Sequence, residues 1–96
     1  MPAYLVSIVH VRDPELYLAY AKAANELIAQ RGGKVLLRGA PAEILEGVPP
    51  GNRVVVSEWE SAADARAYYN SAEYAVARAK RENGVAEVTI MLFDSV

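Results

Sequence analysis

Cysteine is absent from the 96-residue sequence, which excludes disulfides, thiolate metal sites and cysteine nucleophiles. Histidine occurs once, too few for a multi-histidine metal site or a relay of two imidazoles. Positive charge has no surplus: 10 Lys and Arg stand against 12 Asp and Glu, a formal −2. A nucleic-acid binder normally carries excess positive charge to neutralise phosphates, so no nucleic-acid partner is expected. Long apolar runs are also missing, none approaching the roughly 20 residues of a spanning helix. The start, Met1-Pro2-Ala3-Tyr4, lacks the basic, apolar and small-residue sequence of a signal peptide. These absences predict a cytoplasmic protein with no membrane partner. No linker or low-complexity tract divides the chain, so residues 1–96 read as a single domain.

Familiar chemical motifs are missing too. There is no glycine-rich phosphate loop, no G-x-S-x-G elbow, no H-E-x-x-H pair and no calcium-loop spacing. What the chain has in quantity is apolar side chains, 53% of its residues, far too many for a disordered polymer.

Their periodicity predicts the elements in order. Residues 4–11 are β-branched and apolar on both alternating sets, the pattern of a buried strand. Asp13 then caps a helix with Pro14 at its first position. Leu16, Tyr20, Ala23 and Leu27, flanked by Ala24 and Ile28, form its apolar stripe, and Gly32-Gly33 ends it. Residues 34–39 read as a second strand, with a bent continuation through 43–47 as an option. After the turn Pro49-Pro50-Gly51-Asn52, residues 53–59 read as a third strand. Ser61 caps a second helix, which breaks at Asn70-Ser71 and continues to Arg81. Asn83-Gly84 stops it, and residues 86–93 are the last strand. The fold class is therefore α+β, with a ferredoxin-like β-α-β-β-α-β order, a four-stranded antiparallel sheet and helices on one face.

In the last strand Ala86, Val88, Ile90 and Leu92 belong against the helices, leaving Glu87, Thr89, Met91 and Phe93 opposite. The first strand is largely apolar on both sets, whereas an antiparallel sheet with one wet face should alternate cleanly. Helices cover only one face, so the other needs a cover of its own. A second copy of the chain is the simplest one, and a homodimer packed through the helix-free sheet face is expected.

Several segments carry a resemblance. Val11-x-Asp13-Pro14-Glu15-x-Tyr17-x-x-Tyr20, Gly32-Gly33-x-x-Leu36-x-Arg38-Gly39 and Leu45-Glu46-Gly47 occur in that order. They are followed by Val55-Val56-x-Glu58-Trp59-x-Ser61 and Tyr69-Asn70-Ser71-x-Glu73-Tyr74, with Arg81 seven residues on. Together the segments resemble the domain-of-unknown-function family thirteen-thirty, of the dimeric α/β-barrel superfamily. One departure is Ala72, where that family often has proline. The resemblance implies a ferredoxin-like protomer paired with its copy into a dimeric α/β barrel. It implies no particular reaction, although the superfamily includes cofactor-free monooxygenases, isomerases and haem enzymes.

Each candidate residue has a functional and a structural reading. Histidine is the residue type suited to general-base work near neutral pH, which makes His10 a candidate; otherwise it is a satisfied histidine at a strand end. Arg38 and Glu58 fall on neighbouring strands and read as a cross-strand ion pair. Their functional version is Arg38 holding a carboxylate or phenolate while Glu58 joins His10 in acid–base work. Tyr69 and Asn70 mark the helix break and would line a pocket mouth. At that break Asn suits a left-handed turn and Ser71 a cap, while the tyrosines pack. Arg81 is a further ligand contact, or simply a cation near a helix C-terminus. Trp59 reads as a core or interface anchor. RNA-recognition domains share this topology but need stacking aromatics and basic residues mid-strand, where this chain has Val54-Val55-Val56.

Two functions fit this inventory. One is a small enzyme or sensor acting on an organic molecule in a cavity between sheet and helices, without a cofactor. The other is a non-catalytic homodimeric structural or binding module. No metal or cofactor is expected in either; a haem would have to take the lone His10 as its ligand.

Overall fold

A computed structural model describes residues 2–94. β1 (Ala3–Val11) leads into α1 (Pro14–Gln30), β2 (Lys34–Gly39) and β3 (Arg53–Trp59). α2 (Ala62–Tyr69), α3 (Ala72–Ala79) and β4 (Ala86–Asp94) follow. The strands form one sheet in the order β2-β3-β1-β4, every neighbouring pair antiparallel. The Cα frame measures 32 × 31 × 16 Å, and its short axis holds one sheet and one layer of helices.

Local chemistry sets the boundaries. The Asp13 carboxylate accepts the Leu16 amide at 3.1 Å, and Pro14 takes a position where no amide is required. Gly32, at φ 88°, supplies the left-handed residue that ends α1. Ser61 caps α2 by accepting the Asp64 amide. Ser71 caps α3 by accepting the Tyr74 amide at 3.0 Å, and its hydroxyl donates to the Tyr68 carbonyl at 2.7 Å. One serine therefore joins the two helices across their break.

The structure revises four local expectations. The buried stripe of α1 is Tyr17, Tyr20, Ala24, Leu27 and Ile28, while Leu16 is exposed. Both sets have helical spacing, and the face with two phenol rings packs inward because the sheet it covers is partly polar. Residues 43–47 are irregular, with a bend at Glu46-Gly47, rather than strand, because β2 ends at Gly39, at φ 130°. α3 closes at Ala79, and a turn then runs to Asn83 and Gly84, both at positive φ. Asn70 sits at φ −89° and closes α2 without a left-handed residue, because Ser71 already bonds back to Tyr68.

The core lies between the helices and one face of the sheet. Leu5, Val9, Tyr20, Ile28, Trp59 and Tyr74 are among its buried members. Trp59 stacks against Tyr68 with centroids 5.0 Å apart and closes over Gly33, where an added Cβ would lie 2.7 Å from the indole. β4 turns Ala86, Val88, Ile90 and Leu92 toward this core, as its alternation predicts.

Candidate functional site

Sheet register organises everything that follows. On the helix-covered face one transverse row runs Arg38, Val55, Ser7, Ile90 across all four strands. On the helix-free face the corresponding row is Leu37, Val56, Val6, Met91. A β-bulge between Val35 and Leu37 decides which residues belong to which. Unbroken alternation from Lys34, which pairs with Glu58, would place Arg38 on the same face as Glu58. The bulge inserts one residue, reverses the parity and sends Arg38 to the helix side.

The expected Arg38–Glu58 ion pair is therefore not formed. Glu58 instead accepts the Tyr4 hydroxyl at 3.2 Å on the helix-free face, and that bond raises the Tyr4 phenol above its usual pKa. His10 shares this face, directly across from Glu87. Arg12 donates to Glu87 and, with a smaller contribution from His10, holds its carboxyl below the usual range. A full sheet separates His10 and Glu58 from Arg38, so the three do not converge on one cavity.

Arg38 lines a cavity of about 50 Å³ between α1 and the sheet. Arg53 reaches it from the start of β3, with Tyr17 and Asn25 above it on α1 and Ser57 below on β3. Leu5, Ile28 and Ile90 contribute much of the apolar remainder. No acidic side chain lines it, and among the described residues neither arginine forms a salt bridge. The buried Arg53 Nε has no hydrogen-bond partner, and its guanidinium lies 5.8 Å from the Tyr17 ring centroid. Burial raises the Tyr17 phenol, against the opposing charges of Arg53 and Arg81, so this wall presents a neutral hydroxyl.

Ser57 is a second prepared donor. Its Oγ accepts Trp59 Nε1 at 2.9 Å, and an indole N–H only donates, so the serine proton stays available. Asn52 fixes the approach of Arg53. Its side-chain oxygen accepts the Val11 amide at 2.9 Å, and its backbone amide donates to the Val9 carbonyl at 2.9 Å. Gly51 permits that approach, since a Cβ there would sit 2.5 Å from the Val9 carbonyl oxygen.

A second, more open cavity of about 210 Å³ lies beneath α2. Leu5, Ile90 and Leu92 line it on the sheet, Ala65 and Tyr69 above, with Arg66 and Asn70 exposed at its rim. Tyr69 and Asn70 thus meet a cavity, though not the one lined by Arg38. Arg81 lines neither. It donates to the Tyr74 hydroxyl at 3.3 Å and lies 5.3 Å from the Tyr20 ring centroid, inside an aromatic cluster.

Tyr17, Asn25, Arg53 and Ser57 escaped the sequence reading. Their signal was polarity on a covered face: Arg53 and Ser57 alternate with Val55 and Trp59, and Asn25 falls eight residues after Tyr17 on one side of α1. Among the described residues no group of His, Asp and Glu is arranged to hold a metal ion, and no helix is long and apolar enough to cross a membrane.

Solved structures share this architecture. A protein of unknown function from Rhodopseudomonas palustris superposes with a TM-score of 0.78 at 20% identity, covering 99% of this chain and 82% of its own. A dimeric ferredoxin-like protein of unknown function from Thermobifida fusca gives 0.69 at 18%, covering 99% and 92%. A dimeric protein of unknown function and ferredoxin-like fold from Bacteroides fragilis gives 0.67 at 13%, covering 98% and 96%. A comparison with curated proteins found no significant match. The fold is ferredoxin-like, and with a family model that matches residues 2–96, the chain belongs to DUF1330, a domain of unknown function.

Proposed function

We propose that the chain acts as a homodimer, joined through the helix-free sheet face, that binds a small organic acid between sheet and α1 in each protomer. One observation carries the binding reading. Two guanidiniums line a mostly apolar cavity whose wall has no carboxylate. Arg38 is exposed and Arg53 half-buried, and with no carboxylate beside them both guanidiniums can offer charge-assisted hydrogen bonds to a ligand carboxylate or phenolate. Arg38 and Arg53 take the anion in this reading, with Ser57, Asn25 and the Tyr17 hydroxyl as neutral donors.

Binding rather than turnover is the activity proposed. The cavity wall has no histidine or carboxylate to move a proton near neutral pH, and burial raises the phenols of Tyr17, Tyr20 and Tyr68. His10 and Glu58 belong instead to the dimer face.

The dimer reading rests on the apolar row Leu37–Val56–Val6–Met91, with Phe93, Leu37 and Met91 exposed in one protomer. Two of the similar structures are described as dimeric. Native mass spectrometry on freshly purified protein tests both parts. The expected spectrum is a dimer carrying a small acidic metabolite that is lost in Arg38→Met. A wild-type and variant that retain the same mass, with no acidic compound released on denaturation, would refute the binding reading. A one-chain mass at micromolar concentration by light scattering would refute the dimer.

A further inference from the structure

We infer that the ligand is an amphipathic carboxylate, its headgroup at Arg38 and Arg53 and its apolar tail crossing the sheet into the second cavity beneath α2. This rests on the binding reading above and adds the length and polarity of the molecule.

The two cavities share two wall residues, Leu5 and Ile90. Both stand on the helix-covered face of adjacent strands: Leu5 lies opposite Leu92, and Ile90 opposite Ser7. The floor beneath is continuous sheet, so side chains alone divide the space. Consecutive residues of α2 form the roof, Tyr68 over the first cavity and Tyr69 over the second. Along the floor of this path polarity falls. Arg38, Arg53 and Ser57 stand at the β2–β3 end, with Asn25 above them on α1. Leu5, Ile90 and Leu92 make the β1–β4 end, where Arg66 and Asn70 stand only at the exposed rim. From β3 to β4 is two strand spacings, about 10 Å, the span of a medium-chain acid rather than of acetate or phosphate. The first cavity alone, at about 50 Å³, holds a headgroup and little more; the second offers about 210 Å³.

Titration calorimetry with the linear series acetate, butanoate, hexanoate and octanoate tests this, with octanol and inorganic phosphate as probes of tail and charge alone. Burying each methylene should raise affinity about fourfold, so octanoate should bind on the order of a hundredfold more tightly than butanoate. Octanol and phosphate should both bind far more weakly than octanoate. Arg38→Met should abolish octanoate binding, and Arg66→Met, at the rim of the second cavity, should not. Ala65→Leu, which fills the second cavity, should reduce octanoate to the level of butanoate and leave butanoate unchanged. Wild-type protein gives the same answer without a variant: octanoate should shift the methyl resonances of Ala65 and Leu92, and butanoate should not.

Three results would overturn the inference: affinity flat with chain length, octanol binding as well as octanoate, or dependence on Arg66 in place of Arg38. Flat affinities that still require Arg38 would remove the tail site and leave the acid-binding reading intact. No Arg38-dependent binding of any carboxylate would remove both.

Discussion

The hydroxyls of Tyr20 and Tyr74 meet at 2.9 Å in the interior between α1 and α3. Arg81 donates to Tyr74 from the other side, at 3.3 Å. A guanidinium only donates, so the Tyr74 oxygen accepts from Arg81 while the same hydroxyl bonds Tyr20, either phenol serving as the donor of that bond. Tyr74 is the centre of the three, bonded to both Tyr20 and Arg81, so it keeps Arg81 if Tyr20 is lost.

The two phenols are therefore unequal. Tyr74→Phe strands the Tyr20 hydroxyl and the Arg81 guanidinium together and should cost about 1–3 kcal/mol of folding stability. Tyr20→Phe leaves Tyr74 and Arg81 paired and should cost less. Urea unfolding of both variants checks the order. Equal losses, or a greater loss in Tyr20→Phe, would contradict the central place of Tyr74 in the cluster.

Alkaline pH should weaken the fold through the same cluster. Burial, the largest cause, and neighbouring Tyr74 raise the phenols of Tyr20 and Tyr68 above the ordinary value, with Arg81 opposing. A raised folded pKa means the folded chain holds its protons longer than the unfolded chain. That contribution is complete below about pH 10, where unfolded tyrosine titrates, and declines as pH rises beyond it. Urea midpoints measured from about pH 8 to about pH 11 should therefore fall above pH 10. Tyr68→Phe, with one phenol fewer, should fall less steeply; parallel curves would show that Tyr68 is not part of the effect.

Gly51 should tolerate no side chain. A Cβ there would lie 2.5 Å from the Val9 carbonyl oxygen and 3.2 Å from the Ile8 side chain, and the nearer contact is backbone in the middle of the sheet. Gly51→Ala should cost about 1–3 kcal/mol as the loop is forced away. Because Asn52 pins the same loop to β1 and Arg53 follows directly, the variant should also bind octanoate more weakly than wild type. Thermal unfolding and calorimetry on one preparation check the two effects; a wild-type midpoint would show that the contact relaxes freely.

Most of this architecture was legible because local signals agreed with the hydrophobic pattern. Asp13-Pro14, Ser61, Ser71 and Gly32 each mark a helix end by a mechanism that needs no tertiary information. The alternation of β4 likewise named its buried face. The site was less legible because it hinges on parity. Val35-Leu36-Leu37 is apolar throughout, so nothing in those residues announces the bulge that moves Arg38 across the sheet. Tyr17 was passed over for the more hydrophobic Leu16, although a phenol suits a wall that must cover apolar area and present a donor. Arg53 was hidden by its place at the strand's first residue, where a charge ordinarily faces water.

Parity also dictates where a charge should disrupt assembly. Met91 ends the row Leu37–Val56–Val6–Met91 on the face that no helix covers, and Val6 beside it is half-buried even in one protomer. Met91→Glu places a carboxylate on that row, and in a two-fold interface each substitution is present twice. Both copies would lose hydration on association without gaining a partner, so dimerisation should weaken on the order of a hundredfold. Folding of the protomer should change little, because Met91 points away from the core formed by Ile90 and Leu92. Ala63→Glu, on the exposed side of α2, adds the same charge away from the sheet and serves as the control. Sedimentation across a concentration series should show Met91→Glu dissociating while wild type and Ala63→Glu remain paired. Equal behaviour of all three would place the interface elsewhere, since a charge buried in a dry contact between sheets has no route back to water.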